Sequence, residues 1–107
     1  MLQIGHRKIG YGYPPLVVAE IGINHGGDLD VARDMVTLAA KAGAECVKHQ
    51  THFVEDEMID AAKHVFPPND TRSIWQVISD AALSPDSEKS LKIHAEKLGL
   101  IYISTPF

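Results

Sequence analysis

The sequence has one cysteine, Cys46, among 107 residues. A single thiol cannot close a disulfide within the chain, so a reducing compartment is expected. A basic surplus is missing too: ten Lys and Arg stand against fourteen Asp and Glu, a formal net charge of -4. Too few cations remain to neutralise a phosphate backbone, which argues against a general nucleic-acid binder. No apolar run approaches the roughly 20 residues a membrane helix needs. Met1–Gly10 is too polar for a secretory signal. A soluble, cytoplasmic chain is expected, with neither nucleic acid nor membrane as partner. Low-complexity segments and long linkers are also absent. The glycine-rich stretch at 22–27 has the spacing of neither a dinucleotide fingerprint nor a P-loop.

What is present is ordinary for a globular protein: 45% hydrophobic and 22% charged residues, in a length that allows one small domain. Leu16-Val17-Val18-Ala19, introduced by Pro14-Pro15, reads as a strand buried on both faces and ending at Glu20. Asp28 is a candidate N-cap, and Val31, Met35, Leu38 and Ala42 make an apolar stripe at helical spacing that Gly43 ends. Residues 45–51 read as a second strand and 54–65 as partly helical. Phe66-Pro67-Pro68-Asn69-Asp70 reads as loop. Residues 71–83 form a candidate helix with Ile74, Val77, Ile78 and Ala81 on one side. Ser84-Pro85 opens another as N-cap and first-turn proline, and Gly99 closes it after Leu91, Ala95 and Leu98. Leu100–Ser104 reads as a third buried strand, which Thr105-Pro106-Phe107 leaves. Residues 2–10 suit a small hairpin. Strands alternating with helices predict a parallel α/β sheet with helical crossovers, and the pattern at 42–51 echoes weakly at 98–105.

Ligands of parallel α/β folds bind at the carboxyl ends of the strands. There this sequence puts Glu20, then Lys48 and Gln50 on one face, then Ser104 and Thr105. A carboxylate, an ammonium, an amide and hydroxyls converging would suit a polar, anionic small molecule. Each also has a structural reading: Lys48 paired with a nearby Glu, Glu20 as a structural or capping group, Thr105 as a turn residue. Asn24 and His25 could contact a ligand or shape their turn. His49 should face away from Lys48 and Gln50, so His49 and His52 need not share a metal. Asp28, Asp30, Glu55, Asp56 and Glu57 read as solvated helix-end charges, Met35 and Trp75 as core, and Cys46 as an inert buried thiol.

Three segments, in order and at matching spacing, resemble the sialic acid synthases. They are Ala19-Glu20-Ile21-Gly22-Ile23-Asn24-His25-Gly26-Gly27-Asp28, then Ala42-Gly43-Ala44 with Val47-Lys48-His49-Gln50-Thr51-His52 and Val54-Glu55-Asp56-Glu57-Met58, then Ile103-Ser104-Thr105-Pro106-Phe107. The resemblance covers essentially everything from Leu16. It implies the N-terminal part of a (β/α)8 TIM barrel, incomplete in this chain. Residues 1–107 would be its first segment, lacking the other strands and a C-terminal antifreeze-like domain.

The implied reaction condenses phosphoenolpyruvate with an N-acetylated amino sugar. The Lys-His-Gln-Thr-His form, with His49 where the wider family often has Phe, points to N-acetylmannosamine as acceptor and N-acetylneuraminate as product. Legionaminic or pseudaminic acid synthesis is the alternative. By motif, Lys48 would bind phosphoenolpyruvate and Thr105 its phosphate, while Glu20, Gln50 and Asn69 would hold the sugar. Glu20 and Lys48 would be the catalytic residues, with Glu20 moving protons. The cofactor implied is a divalent metal, Mn2+ or Mg2+, with ligands outside this chain, and the full-length protein would be a homodimer. Pro68 departs from the family pattern, which has Gly before the asparagine. Rival readings are a deoxy-heptulosonate or deoxy-octulosonate phosphate synthase, a non-catalytic oligomer pairing its edge strands, and a flavodoxin-like nucleotide binder.

Overall fold

The computed structural model describes Met1–Phe107. An antiparallel hairpin, β1 (Leu2–Ile4) and β2 (Arg7–Ile9), precedes a three-stranded parallel sheet in the order β3-β4-β5, formed by Val18–Gly22, Cys46–Thr51 and Ile101–Pro106. Helix α1 (Leu29–Lys41) crosses from β3 to β4. The second crossover holds α2 (Val54–Glu57), a 3₁₀ turn (Asp60–His64), α3 (Ile74–Ala81) and α4 (Pro85–Lys97). The expected order of parallel strands and helical crossovers is therefore observed. Arg7 anchors the hairpin, its Nε donating to Glu45 Oε2 at 2.7 Å and its Nη2 to the Pro14 carbonyl at 2.7 Å.

The helix signals act where the sequence puts them. Asp28 Oδ1 accepts from the amides of Asp30 (2.9 Å) and Val31 (3.2 Å), and Ser84 Oγ accepts from that of Ser87 (3.1 Å). Ser73, unforeseen as a cap, accepts from Gln76 and starts α3 three residues later than the apolar pattern suggested.

The core lies between one face of the sheet and α1 with α4. It contains Ile21, Ala32, Val36, Val47, Leu83, Leu91, Ala95 and Leu100. Ala32 and Ala95 are fully buried. Their small side chains let the two helices come close, joined by Arg33 to Ser90 (2.5 Å) and Thr37 to His94 (2.9 Å).

Here several expectations need correction. The buried stripe of α1 runs through Ala32 and Val36, whereas Val31 and Leu38 are exposed. This helix is apolar on most of its circumference, so spacing alone could not choose the face. The first strand starts two residues later than expected and ends at Gly22, past Glu20. The third carries Thr105 and Pro106 within it. Neither is buried on both faces: Val18 and Ile103 lie open on the face away from the helices. Leu98 is exposed at the end of α4 while Leu100 fills the core. Trp75 lies outside the core, with Lys63 Nζ 4.5 Å from its ring centre.

Gly27 makes the closest approach. Its φ is +87°, and a Cβ there would lie 2.1 Å from the carbonyl oxygen of Asp80 at the end of α3. Gly27→Ala is expected to destabilise the fold by about 2 kcal/mol or more, through left-handed strain plus overpacking. Chemical denaturation measures this, and an unchanged midpoint would contradict the packing described.

Candidate functional site

The two faces of the sheet carry different chemistry because side chains alternate along a strand. On the open face, Glu20 and Lys48 are register partners, as are Lys48 and Ile103, and Gln50 and Thr105. Lys48 Nζ is 3.7 Å from Glu20 Oε2 with both side chains partly exposed, so the pair is held in place yet open to a ligand. The bulge between Glu20 and Gly22 turns the end of β3 across this group. Gly22 has φ +52°. A Cβ on it would meet Gln50 Nε2 at 3.4 Å, Glu20 Oε1 at 3.5 Å and Asn24 Nδ2 at 3.8 Å. The backbone at Gly22 thus passes directly beside the carboxylate and the amide. Gly22→Ala is expected to strain this left-handed turn beside the two groups and lower ligand affinity at this face by about 10-fold, measured by calorimetry. Unchanged affinity would remove Gly22 from the site.

Glu20, Lys48, Gln50 and Thr105 are therefore brought to one face. Asn69 is not joined to them: it sits exposed on the loop after Phe66, without a hydrogen bond to any of the four. Ser104 faces the helices and lies 2.7 Å from Thr51 Oγ1. Asn24 shapes its own turn, Nδ2 donating to the Ile21 carbonyl at 3.1 Å.

A buried polar relay runs under the opposite face, and its hydrogens can be assigned from one end. The Gly27 amide donates to His25 Nδ1 at 3.0 Å, so that nitrogen is the acceptor and Nε2 carries the hydrogen. His25 Nε2 then donates to His49 Nε2 at 3.0 Å, and His49 Nδ1 donates to Glu88 Oε1 at 3.2 Å. Glu88 Oε1 also accepts from Thr51 (2.5 Å) and Tyr102 (3.3 Å). Burial pushes the Glu88 carboxyl up, but the hydrogen bonds from Thr51 and His49 outweigh it and hold the group below its ordinary value. Burial first, then the Glu88 carboxylate, push the Tyr102 phenol well up. Burial likewise raises the Cys46 thiol, in keeping with an inert group.

His25 is held below its ordinary value by burial and by His49, against a smaller opposing pull from Asp28. A histidine depressed in the folded state contributes stability above its unfolded value, about 6.5, and loses it as pH falls through the lower folded value. Stability should therefore drop as pH is lowered below about 6.5, before carboxylates titrate. Denaturant midpoints at pH 7.5 and pH 5.5 check this. Equal midpoints would mean that the relay takes up a proton without cost.

His49 faces away from Lys48 as the alternation required, whereas Glu57 differs from its sequence reading. His49 is 1% exposed beneath α4, so it cannot touch a ligand bound beside Lys48. Glu57 is no solvated helix-end charge: its side chain is 8% exposed, 2.7 Å from His52 Nδ1. His52, just after β4, and Glu57, the last residue of α2, stand five residues apart, which was the readable signal for that pair. The chain's His, Cys, Asp and Glu side chains form no group of three able to hold a metal.

The profile of the NeuB family matches residues 35–107. The chain belongs to the NeuB family. Among NeuB-family relatives, the N,N'-diacetyllegionaminic acid synthase of Campylobacter jejuni is 33% identical over 97 residues, covering 86% of this chain and 29% of the relative. The human N-acetylneuraminate-9-phosphate synthase is 31% identical over 104 residues, covering 92% of this chain and 28% of the relative. The crystal structure of N-acetylneuraminic acid (sialic acid) synthetase from Leptospira borgpetersenii, solved in complex with citrate, superposes with a TM-score of 0.80 at 30% identity. That match covers 99% of this chain and 34% of the other. The chain thus spans less than a third of the length of these curated relatives. Its α/β arrangement is the N-terminal part of a (β/α)8 barrel, and the open face carrying Glu20, Lys48 and Gln50 is the side a barrel turns inward.

Proposed function

We propose that this NeuB-family chain forms the first part of a synthase that condenses phosphoenolpyruvate with an N-acetylated amino sugar, releasing phosphate. The observation that carries the reading is the gathering of Glu20, Lys48 and Gln50 on the open sheet face, with Thr105 in register beside Gln50. Lys48, a compact cation, binds the phosphoenolpyruvate anion, and Thr105 donates to its phosphate. Glu20 and Gln50 hold the sugar. Asn69 joins them only if its loop folds over the bound sugar.

In the reaction, C3 of phosphoenolpyruvate forms a bond to the aldehyde carbon of the open-chain sugar. Water adds at C2, and the C2–O bond to phosphate then breaks, the phosphate leaving with the bonding pair. Glu20 is the proton-transferring group of this chain. The Mn2+ or Mg2+ ion, the homodimer and the cytoplasmic location belong to the same reading, with the metal's ligands outside these residues.

N-acetylmannosamine is the proposed acceptor, supported by likeness to the Leptospira synthetase. His49 supports it through the resemblance of the Lys-His-Gln-Thr-His form and not through contact, because its ring lies under the helices. Likeness to the Campylobacter legionaminic acid synthase favours a diacetylated sugar as the second reading. The test is phosphate release by the product of the natural gene, with phosphoenolpyruvate and either N-acetylmannosamine, a diacetamido sugar or a phosphorylated, non-acylated aldose. Turnover with an acylated sugar supports the reading, whereas turnover confined to the non-acylated aldose overturns it. The 107-residue chain alone is expected to release no phosphate, since three strands leave the barrel open.

A further inference from the structure

We infer that His25 and His49 are positioning residues, which hold the backbone of Gly22 beside Glu20 and Gln50 only while both rings are neutral. The loop between β3 and α1 is a run of tight turns. In it the amides of Asn24, Gly26 and Asp28 donate to the carbonyls of Ile21, Ile23 and His25 at 3.1, 3.0 and 3.2 Å. Each turn constrains the next, so a grip at one point fixes the run. That point is His25, whose ring is 3.0 Å from His49 Nε2. His49 is also the register partner of Gly22 on the neighbouring strand. The loop is therefore tied to β4 twice, through the ladder at its root and through the two rings near its tip.

Every nitrogen of these rings is committed. His25 Nδ1 accepts from the Gly27 amide and its Nε2 donates, so His49 Nε2 accepts and its Nδ1 donates to Glu88. A proton can add only at the two acceptors, and each is already filled by an N–H. On His25 Nδ1 it would face the Gly27 amide hydrogen, and on His49 Nε2 it would face the hydrogen of His25. Either uptake breaks a bond that shapes the loop, and at 3% and 1% exposure water does not replace it. The surrounding charges leave this conflict in place. Asp28, at the end of the loop, favours a charged His25 by less than burial and His49 oppose it. Glu88 on α4 already accepts from His49, and Tyr102 on β5 donates to the same oxygen. Asp80 of α3, whose carbonyl closes on Gly27, has its carboxylate bound by Arg72 and Gln76. Acid therefore loosens the loop and Gly22 with it. The inference rests on Glu20 and Gln50 holding the acceptor sugar, as in the proposed function, and makes that sugar bind less well in acid.

Two measurements test it, the first independent of that function. The product of the natural gene is isotope-labelled at histidine and glycine nitrogen for magnetic resonance. At pH 7.5, hydrogen should sit on His25 Nε2 and His49 Nδ1 and on neither of the other ring nitrogens. As acid is added, the Gly22 amide signal should move with the same midpoint as the His25 ring. Hydrogen on His25 Nδ1 at pH 7.5, or a Gly22 signal that stays still while His25 takes up its proton, overturns the inference whether or not the protein has synthase activity. The second measurement is the acceptor KM with N-acetylmannosamine, which carries no charge to titrate. Between pH 7.5 and pH 5.0 it is expected to rise about 5-fold in the wild type, the worth of one hydrogen bond. His25→Asn sets an amide oxygen near the place of Nδ1, so it keeps the Gly27 bond but neither reaches His49 nor takes up a proton. Its acceptor KM should start about 5-fold high at pH 7.5 and change by less than about 2-fold in acid. His49→Gln keeps an acceptor for His25 and should lie near wild type at pH 7.5, which a role of simply filling space would not give. The same pH dependence of the acceptor KM in wild type and folded His25→Asn overturns the positioning role. Absence of turnover in the wild type would instead count against the proposed function, and the ring and Gly22 signals would then decide the inference alone. They also decide it if His25→Asn does not fold.

Discussion

Replacing Lys48 with alanine in the natural gene product is expected to reduce kcat/KM for phosphoenolpyruvate by about 100-fold or more, with little change in stability. The two halves of this result separate the competing readings of the residue. Lys48 contacts Glu20 at 3.7 Å, and 41% and 46% of the two side chains are exposed. An ion pair that open contributes at most about 1 kcal/mol, so its loss should hardly move the unfolding midpoint. Binding a multiply charged anion in a barrel interior is different. Removing the cation there leaves anionic oxygens without their partner, at a cost of about 2–5 kcal/mol. A variant that loses stability but keeps its kinetics would mean that Lys48 only balances Glu20.

The second large effect is on folding. Glu88→Ala is expected to destabilise the chain by about 2–4 kcal/mol, measured by denaturant titration. Glu88 Oε1 accepts from His49, Thr51 and Tyr102, and so ties α4 to both β4 and β5. Deleting it strands three donors under the helix, each costing about 1–3 kcal/mol when left unsatisfied. Partial entry of water keeps the total below the sum. Glu88→Gln retains an acceptor at the same place and should cost clearly less. If both variants are as stable as wild type, the relay is dispensable.

The sequence made the topology readable because its punctuation is strong. Asp28, Ser84-Pro85, Gly43 and Gly99 bound two helices, and the apolar runs between them leave only strands. Alternation along the second strand also separated Lys48 and Gln50 from His49 correctly. What failed was the face of α1, because a helix apolar on most sides reveals its core only against the neighbour that packs on it. Glu57 failed for a related reason. An acidic run after a strand reads as solvated, and only the fold of α2 against His52 buries its last member. The His25–His49–Glu88 relay joins residues up to 63 positions apart, by way of a helix docking that no local pattern encodes.

The central claim is that the open face of the sheet, with Lys48 and Thr105 at its strand ends, receives phosphoenolpyruvate. A crystal structure of the natural gene product grown with phosphoenolpyruvate tests it most directly. The account predicts the anion on the open face, its oxygens within hydrogen-bonding distance of Lys48 Nζ and Thr105 Oγ1. An anion bound in an ordered site away from that face, with Lys48 still paired only to Glu20, would contradict it.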